Sequence, residues 1–167
     1  DIKKLEKKLN FKISKKQNFL EISFEGFKII KKLNNIITKK GGCILFIDYA
    51  SLNQKMFNTL QAVRSHRKTN VLEKVGKSDI SHMVNIPFLK EFAKKLNLKL
   101  KYNTQRKFLI NLGIMKRAEI IAANTSFLEK ANIFYRINRL IDKKKMGELF
   151  KVIYLYKKNQ KFDLGFK

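Results

Sequence analysis

Gly41-Gly42-Cys43-Ile44-Leu45-Phe46-Ile47-Asp48-Tyr49-Ala50 opens on two glycines, runs through five apolar or near-apolar residues without alternation, and ends on an aspartate and a tyrosine. Such a run, bounded by turn residues, reads as a strand buried on both faces of a mainly parallel sheet. Ligands of sheets of this kind lie beyond the carboxyl ends of the strands, so whatever this protein handles is expected near Asp48 and Tyr49. Cys43 lies inside the run and is the sole cysteine, so it reads as a small buried hydrophobe and excludes a disulfide framework.

On the amino side, Phe24, Phe27, Ile30, Leu33 and Ile37 recur at helical spacing, with Lys28, Lys31, Lys32 and Lys39 on the other face. Ser23 is placed to cap this helix over 24–38 and Gly41 to end it. With Phe19-Leu20-Glu21-Ile22 as an extended piece ahead of it, the stretch reads as the crossover unit of an α/β fold. Residues 1–17 are polar and lysine-rich, and a weak alternation at Leu9, Phe11 and Ile13 predicts one strand of a hairpin.

On the carboxyl side, residues 51–85 lose all periodicity while polar side chains concentrate, which predicts a functional loop leaving the end of the strand. Asn85 and Pro87 then start a helix with Leu89, Phe92, Ala93 and Leu96 on one face. Leu98, Leu100 and Tyr102 alternate with lysines as a strand with one wet face. Thr104 caps a short helix carrying Phe108, Leu109 and Leu112, Gly113 ends or bends it, and Ile114, Ala118, Ile121 and Ala122 continue helically. Ser126 and Glu129 have capping-box spacing, and the helix they open is expected to turn Leu128, Ala131, Tyr135 and Leu140 inward. Residues 149–156, rich in β-branched and aromatic side chains, predict another interior strand. No repeat or linker divides the chain, so 1–167 reads as a single domain.

With 44% hydrophobic residues in 167, there is enough apolar surface for a real core. The formal net charge is +25, yet only six of the 38 basic residues are arginine and the lysines are spread through nearly every segment. That is the imprint of AT-rich coding, whereas a nucleic-acid site clusters arginine with interleaved aromatics. A basic nucleic-acid-binding module, or a non-catalytic scaffold, is therefore the alternative reading rather than the main one. No apolar run has membrane-spanning length and Asp1-Ile2-Lys3-Lys4 shows no signal-peptide pattern, which points to an intracellular protein without membrane insertion. The chain begins with Asp rather than Met, as is expected of a fragment or a processed product.

Several residues carry chemistry. Asp48, at the end of an apolar strand, needs partners; it either caps the next backbone amides or faces a polar pocket, with Tyr49 shaping that pocket or folding onto the core edge. In the polar stretch Arg64, Arg67 and His66 fall within a few residues of one another, with Gln61 just ahead; an arginine fork suits a carboxylate or phosphate, and the alternative is a solvated basic loop. Gly76-Lys77-Ser78 lacks the glycine five positions earlier that a phosphate-binding loop requires, since Val71 stands there. His66 and His82 have no Cys, His or Glu at ligand spacing, so no metal site is expected.

Five blocks, Gly-Gly-x-x-Leu-x-Ile-Asp-Tyr, Thr-Leu-Gln-Ala-Val-Arg-x-His, Asp-Ile-Ser-x-x-Val-Asn, Thr-Gln-x-x-Phe-Leu-x-x-Leu-Gly-Ile-x-x-Arg and Met-Gly-Glu-Leu-Phe-Lys-Val, fall in order at residues 41–49, 59–66, 79–85, 104–117 and 146–152. Together they resemble the carboxyl-terminal half of the MidA-type S-adenosylmethionine-dependent methyltransferases, a family that includes a mitochondrial protein arginine methyltransferase assisting assembly of respiratory complex I. The resemblance implies the carboxyl-terminal part of a Rossmann-like class I methyltransferase sheet, holding its fifth to seventh strands, with a helical insertion at about 104–142 before the last. It further implies methylation of a protein arginine, a protein partner such as a respiratory complex I subunit, and a place in a bacterial cytoplasm or a mitochondrion. On that reading Asp48 is the catalytic candidate, a carboxylate that orients the acceptor guanidinium, and Tyr49, Gln61, Arg64 and His66 bind substrate. The sequence departs from the family at Ala50, where glycine is usual, at Met83-Val84-Asn85-Ile86, where His-Val-Asp-Phe is usual, and at Phe24, where proline is common. The family's glycine-rich cofactor turn, the acidic residue after its second strand and its Asn-Glu-Phe-Phe-Asp-Ala-Leu-Pro-like block do not occur in this sequence. The chain alone is therefore expected neither to bind S-adenosylmethionine nor to be active.

Overall fold

The computed structural model describes residues 2–10, 12, 17–158 and 163–167. Among them, helix α1 spans Ile2–Leu9 and α2 spans Phe24–Lys40; β1 (Cys43–Ser51), β2 (Gln61–Arg64), β3 (Arg67–Thr69), β4 (Asp79–Ser81) and β5 (Val84–Asn85) follow. Then come α3 (Ile86–Lys95), β6 (Lys99–Thr104), α4 (Gln105–Asn111), α5 (Ile114–Ala122), α6 (Phe127–Ile141), the short α7 (Met146–Leu149) and β7 (Phe150–Tyr156). The residues gather into two compact units, Asp1–Asn35 with Ala50–Asn97, and Ile36–Tyr49 with Leu98–Lys167.

The first unit has an aromatic core. Phe27 of α2 meets Phe88 and Phe92 of α3 edge to face, at centroid distances of 5.5 and 4.4 Å. Both helices start on caps that the sequence announces. Ser23 Oγ accepts from the Gly26 amide at 3.1 Å, and Asn85 Oδ1 accepts from the Phe88 amide at 2.9 Å. Leu89, Phe92 and Ala93 are buried as the helical spacing requires. The stretch 19–22 ahead of α2 joins no strand, so the parallel partner of β1 is not found there. It is β5, whose Val84 and Asn85 pair with Ala50 and Ser51.

Residues 51–85, expected as a loop without regular structure, instead hold a second small antiparallel sheet ordered β3-β2-β4. Its β2–β3 turn places Ser65 and His66 consecutively in the left-handed region, at φ 47° and 62°. That is the backbone of a two-residue primed hairpin, usually signalled by Asn-Gly, so Ser-His conceals it. Residues 2–9 form a helix rather than the predicted strand; Phe11 and Ile13 lie outside the described residues.

In the second unit, β7 runs between β1 and β6, antiparallel to both, so β1 and β6 are parallel to each other. Pairing among the described strands is thus mainly antiparallel, unlike the mainly parallel sheet expected. Val152 to Tyr156 are buried throughout, as an interior strand should be. β1 differs from the expectation of burial on both faces. Ile44 is buried, whereas Leu45 and Ile47 are 49% and 47% exposed, and Cys43 is exposed rather than buried. A strand side chain is buried only where something stacks on its own face, and a continuous apolar run does not reveal that.

Helices α4, α5 and α6 stand between β6 and β7, where the fold reading puts an insertion. Thr104 Oγ1 accepts from the Lys107 amide at 3.2 Å, Gly113 sits between α4 and α5 at φ 79°, and the Ser126–Glu129 capping box is complete. Ala118 and Ala122 of α5 are buried, but Ile121 is exposed. On α6 the expected inward stripe is largely reversed. Leu128, Ala131 and Tyr135 face solvent, and Ile133, Phe134, Ile137 and Leu140 are the better covered residues. Two apolar stripes compete on this helix, and the packing of α6 on α4, α5 and α7 selects the second.

Candidate functional site

Ala50 and Ser51 end β1 beside the parallel β5, so both strands present carboxyl ends at one place, the position where α/β sheets bind ligands. A polar network has gathered there from three separated segments. Thr59 donates its amide to Glu21 Oε1 at 3.1 Å and its hydroxyl to Glu21 Oε2 in a short bond. The Met83 amide donates to Thr59 Oγ1 at 2.8 Å, and Asn85 Nδ2 donates to the Asn53 carbonyl at 2.9 Å. Gln17 joins the same region, accepting from the Met56 amide at 2.7 Å and donating to the Gln54 carbonyl at 2.8 Å.

Glu21, Ser51, Met56, Thr59, Met83 and Asn85 line a cavity of about 10 Å³. That is room for one water molecule and far too little for a guanidinium or a nucleoside. The network therefore fastens chain segments at the strand ends. Sequence reasoning passed over Glu21 and Thr59. The available signal was a carboxylate set among Phe19, Leu20 and Ile22, which needs hydrogen-bond donors to be tolerated.

The residues singled out from the sequence fall in both units. Asp48 is exposed and its Oδ1 accepts from the amide of the adjacent Tyr49 at 2.7 Å, within β1 itself. Across the ladder from Asp48 stands Lys151, buried, with its ammonium donating to the Glu148 carbonyl. Burial lowers the Lys151 pKa from its ordinary value, against the charge of Glu148. Tyr49 is half-buried and tilts against Phe150 at 4.2 Å. Gln61 is half-buried and donates to Ser81 Oγ at 3.3 Å, tying β2 to β4. Arg64 and His66 are exposed on the β2–β3 hairpin, where Arg64 is paired directly opposite Arg67. The structure thus brings Gln61, Arg64 and His66 onto one hairpin; Asp48 and Tyr49 belong to the other unit.

A broader groove, about 650 Å³, is lined by Lys3, Lys7, Lys12 and Lys95 with Glu6 and Asn10. Four lysines against one glutamate make it cationic. Among the described residues no group of three His, Cys, Asp or Glu is placed to hold a metal ion, and no helix is long and apolar enough to cross a membrane.

Residues 1–104 match the family model described as "Putative S-adenosyl-L-methionine-dependent methyltransferase". The chain belongs to that family. Among its methyltransferase relatives, the mitochondrial protein arginine methyltransferase NDUFAF7 of Danio rerio is 30% identical over 131 residues, which cover 78% of this chain and 31% of the relative. The Xenopus tropicalis protein of the same name is 27% identical over 81% of this chain and 31% of the relative. The chain spans about a third of the length of these curated relatives. Two crystal structures from Burkholderia thailandensis share the fold. One, of an uncharacterized ACR, COG1565 superfamily protein, has a TM-score of 0.69 at 24% identity, covering 87% of this chain and 40% of that one. The other, of a COG1565 superfamily member and likely methyl transferase bound to S-adenosyl-homocysteine, has a TM-score of 0.66 at 22% identity, covering 84% and 36%. The fold of this methyltransferase-family chain is accordingly Rossmann-like α/β.

The helices that follow strands directly, α3 after β5 and α4 after β6, do so without an intervening glycine turn. The cavity at the carboxyl ends of β1 and β5 holds no more than a water.

Proposed function

We propose that this chain is the carboxyl-terminal part of an S-adenosylmethionine-dependent methyltransferase domain that modifies an arginine of a protein substrate, a respiratory complex I subunit being the specific candidate. The observation that carries the reading is the family match over residues 1–104, joined by relatives named as protein arginine methyltransferases. The family's glycine-rich cofactor turn does not occur in this sequence, so in this reading the chain's own residues serve the acceptor and methyl transfer needs the rest of the domain. The protein works in the cytoplasm of a bacterium or, in a eukaryote, in the mitochondrion, as the relatives' names support.

Each unit carries its own candidate groups for the acceptor, and they differ in charge. Asp48 supplies an exposed carboxylate, the one charge type that attracts and orients a guanidinium and favours its loss of a proton. On the β2–β3 hairpin, Arg64 with Arg67 opposite repels an arginine and suits acidic residues flanking the methylated one, and His66 at the turn adds a hydrogen-bonding ring. Tyr49 offers its ring beside Phe150 in the second unit, and Gln61 holds β2 against β4 in the first.

The test is transfer of labelled methyl groups to an arginine-containing protein substrate by the full-length encoded protein. Asp48→Asn is expected to lower kcat/KM by about 100-fold or more, the usual range for losing a proton-handling carboxylate, with circular dichroism unchanged. Wild-type rates in a folded D48N protein would remove Asp48 from the mechanism. Absence of any methylation by the wild type would remove the activity itself.

A further inference from the structure

Helix α6 carries two apolar faces, and only one is used by the fold. Ile133, Phe134, Ile137 and Leu140 are partly covered, α6 packing on α4, α5 and α7, yet no residue of the helix is fully buried. On the opposite side, Phe127, Leu128 and Tyr135 are 88%, 70% and 68% exposed, and Ala131 and Asn138 are exposed beside them. Here the second face is open.

Its spacing is specific. Leu128, Ala131, Tyr135 and Asn138 fall at alternating intervals of three and four residues, the seam along which a second helix packs. Ala131 in the middle leaves room for close approach, and Asn138 is a polar seam residue of the kind that fixes register.

The charges beside the seam select the partner. Arg136 and Arg139 rise along one side of it and Lys145 stands over the Tyr135 ring at 6.0 Å, with Lys143 and Lys144 next in the chain. The nearby carboxylates are engaged locally: Glu129 closes the capping box with Ser126, and Asp142 accepts from the Lys144 amide at 2.7 Å. A second copy of this basic chain would set like charges together at the rim. A helix with an apolar stripe and glutamate or aspartate along its edges is complementary in both respects.

We propose that the outer face of α6, centred on Leu128, Ala131 and Tyr135, is a docking surface for an acidic amphipathic helix of a partner protein. This assignment does not depend on methyl transfer and stands or falls separately from it.

Fluorescence anisotropy tests it with the full-length encoded protein and two designed helical peptides, each with a leucine seam, one flanked by glutamate and one by lysine. The glutamate peptide is expected to bind and the lysine peptide not. Leu128→Ser with Tyr135→Ser should weaken binding by about tenfold or more, since two exposed side chains lose their burial without disturbing the fold. Arg136→Glu with Arg139→Glu should reverse the preference between peptides. Lys31→Glu with Lys32→Glu on α2 makes the same change in net charge and should leave binding as it was. The proposal is overturned if neither peptide binds, if the α2 variant weakens binding as much as the α6 variant, or if L128S/Y135S binds as wild type. It is equally overturned if sedimentation shows self-association abolished by L128S/Y135S, or if vesicles with anionic headgroups capture the chain through that face, for then a second copy or a membrane is the occupant.

Discussion

Gly147 shows how a single position in the Met-Gly-Glu-Leu block is constrained. A Cβ there would press into the carbonyl oxygen of Ile141 and lie 2.6 Å from its carbon, both backbone atoms that cannot swing aside. Gly147 also donates to the Asp142 carbonyl at 3.0 Å, so the turn between α6 and α7 is closed on the glycine from both sides. Gly147→Ala is expected to destabilise the second unit by about 2–4 kcal/mol, at the upper end for strain of this kind, measured as a drop in the urea midpoint. A midpoint within error of wild type would mean the turn opens freely. Asp48 illustrates the opposite case. Its residue type and place at a strand end were readable, but its use of a neighbouring amide was a choice only the folded backbone could make.

The β2–β3 hairpin and β7 each carry a prediction about an element. Ser65 and His66 both occupy the left-handed region, which costs about 1 kcal/mol or more for residues with a Cβ, and Arg64 faces Arg67 across the ladder. Replacing Ser65-His66 by Asn-Gly should raise the melting temperature of the chain while leaving the sheet intact; a lower one would show that the Ser-His turn is not strained. In β7, burial first and the Cys43 side chain second push the Tyr154 hydroxyl up to about 12. An unfolded tyrosine ionises near 10, so the fold favours the protonated phenol. Its stabilising contribution is whole below about pH 10 and is lost as the pH climbs toward 12. Wild type should therefore lose stability over that interval more steeply than Tyr154→Phe, as followed by denaturant midpoints at each pH. Parallel curves for the two proteins would refute the linkage.

For the whole molecule, a formal net charge of +25 on 167 residues imposes self-repulsion on any compact state. The pairs Lys28–Glu25 and Lys116–Glu119 each close within one helix turn, and with 13 acidic residues against 38 basic ones most of the positive charge has no carboxylate to meet, so little of that repulsion is relieved locally. Thermal stability is expected to rise with sodium chloride from about 0.01 to about 0.3 M and then level off as the Debye length falls below the charge spacing. A flat or falling curve would show that the lysines are spaced well enough not to matter. The sequence by itself determined the local decisions: the caps at Ser23, Asn85, Thr104 and Ser126, the span of α2 and α3, the existence of β1 and β7, and the family, because each is written in neighbouring residues or in ordered motifs. It missed α1 and the small sheet within 51–85, where short polar strands and a Ser-His turn leave no periodic or glycine signal. Only the tertiary structure decided which sides of β1 and α6 are covered and that Glu21 meets Thr59 at the strand ends. Burial and long-range hydrogen bonds depend on what the chain brings opposite a side chain, and an apolar stripe looks the same in sequence whether it faces a core, a partner or water.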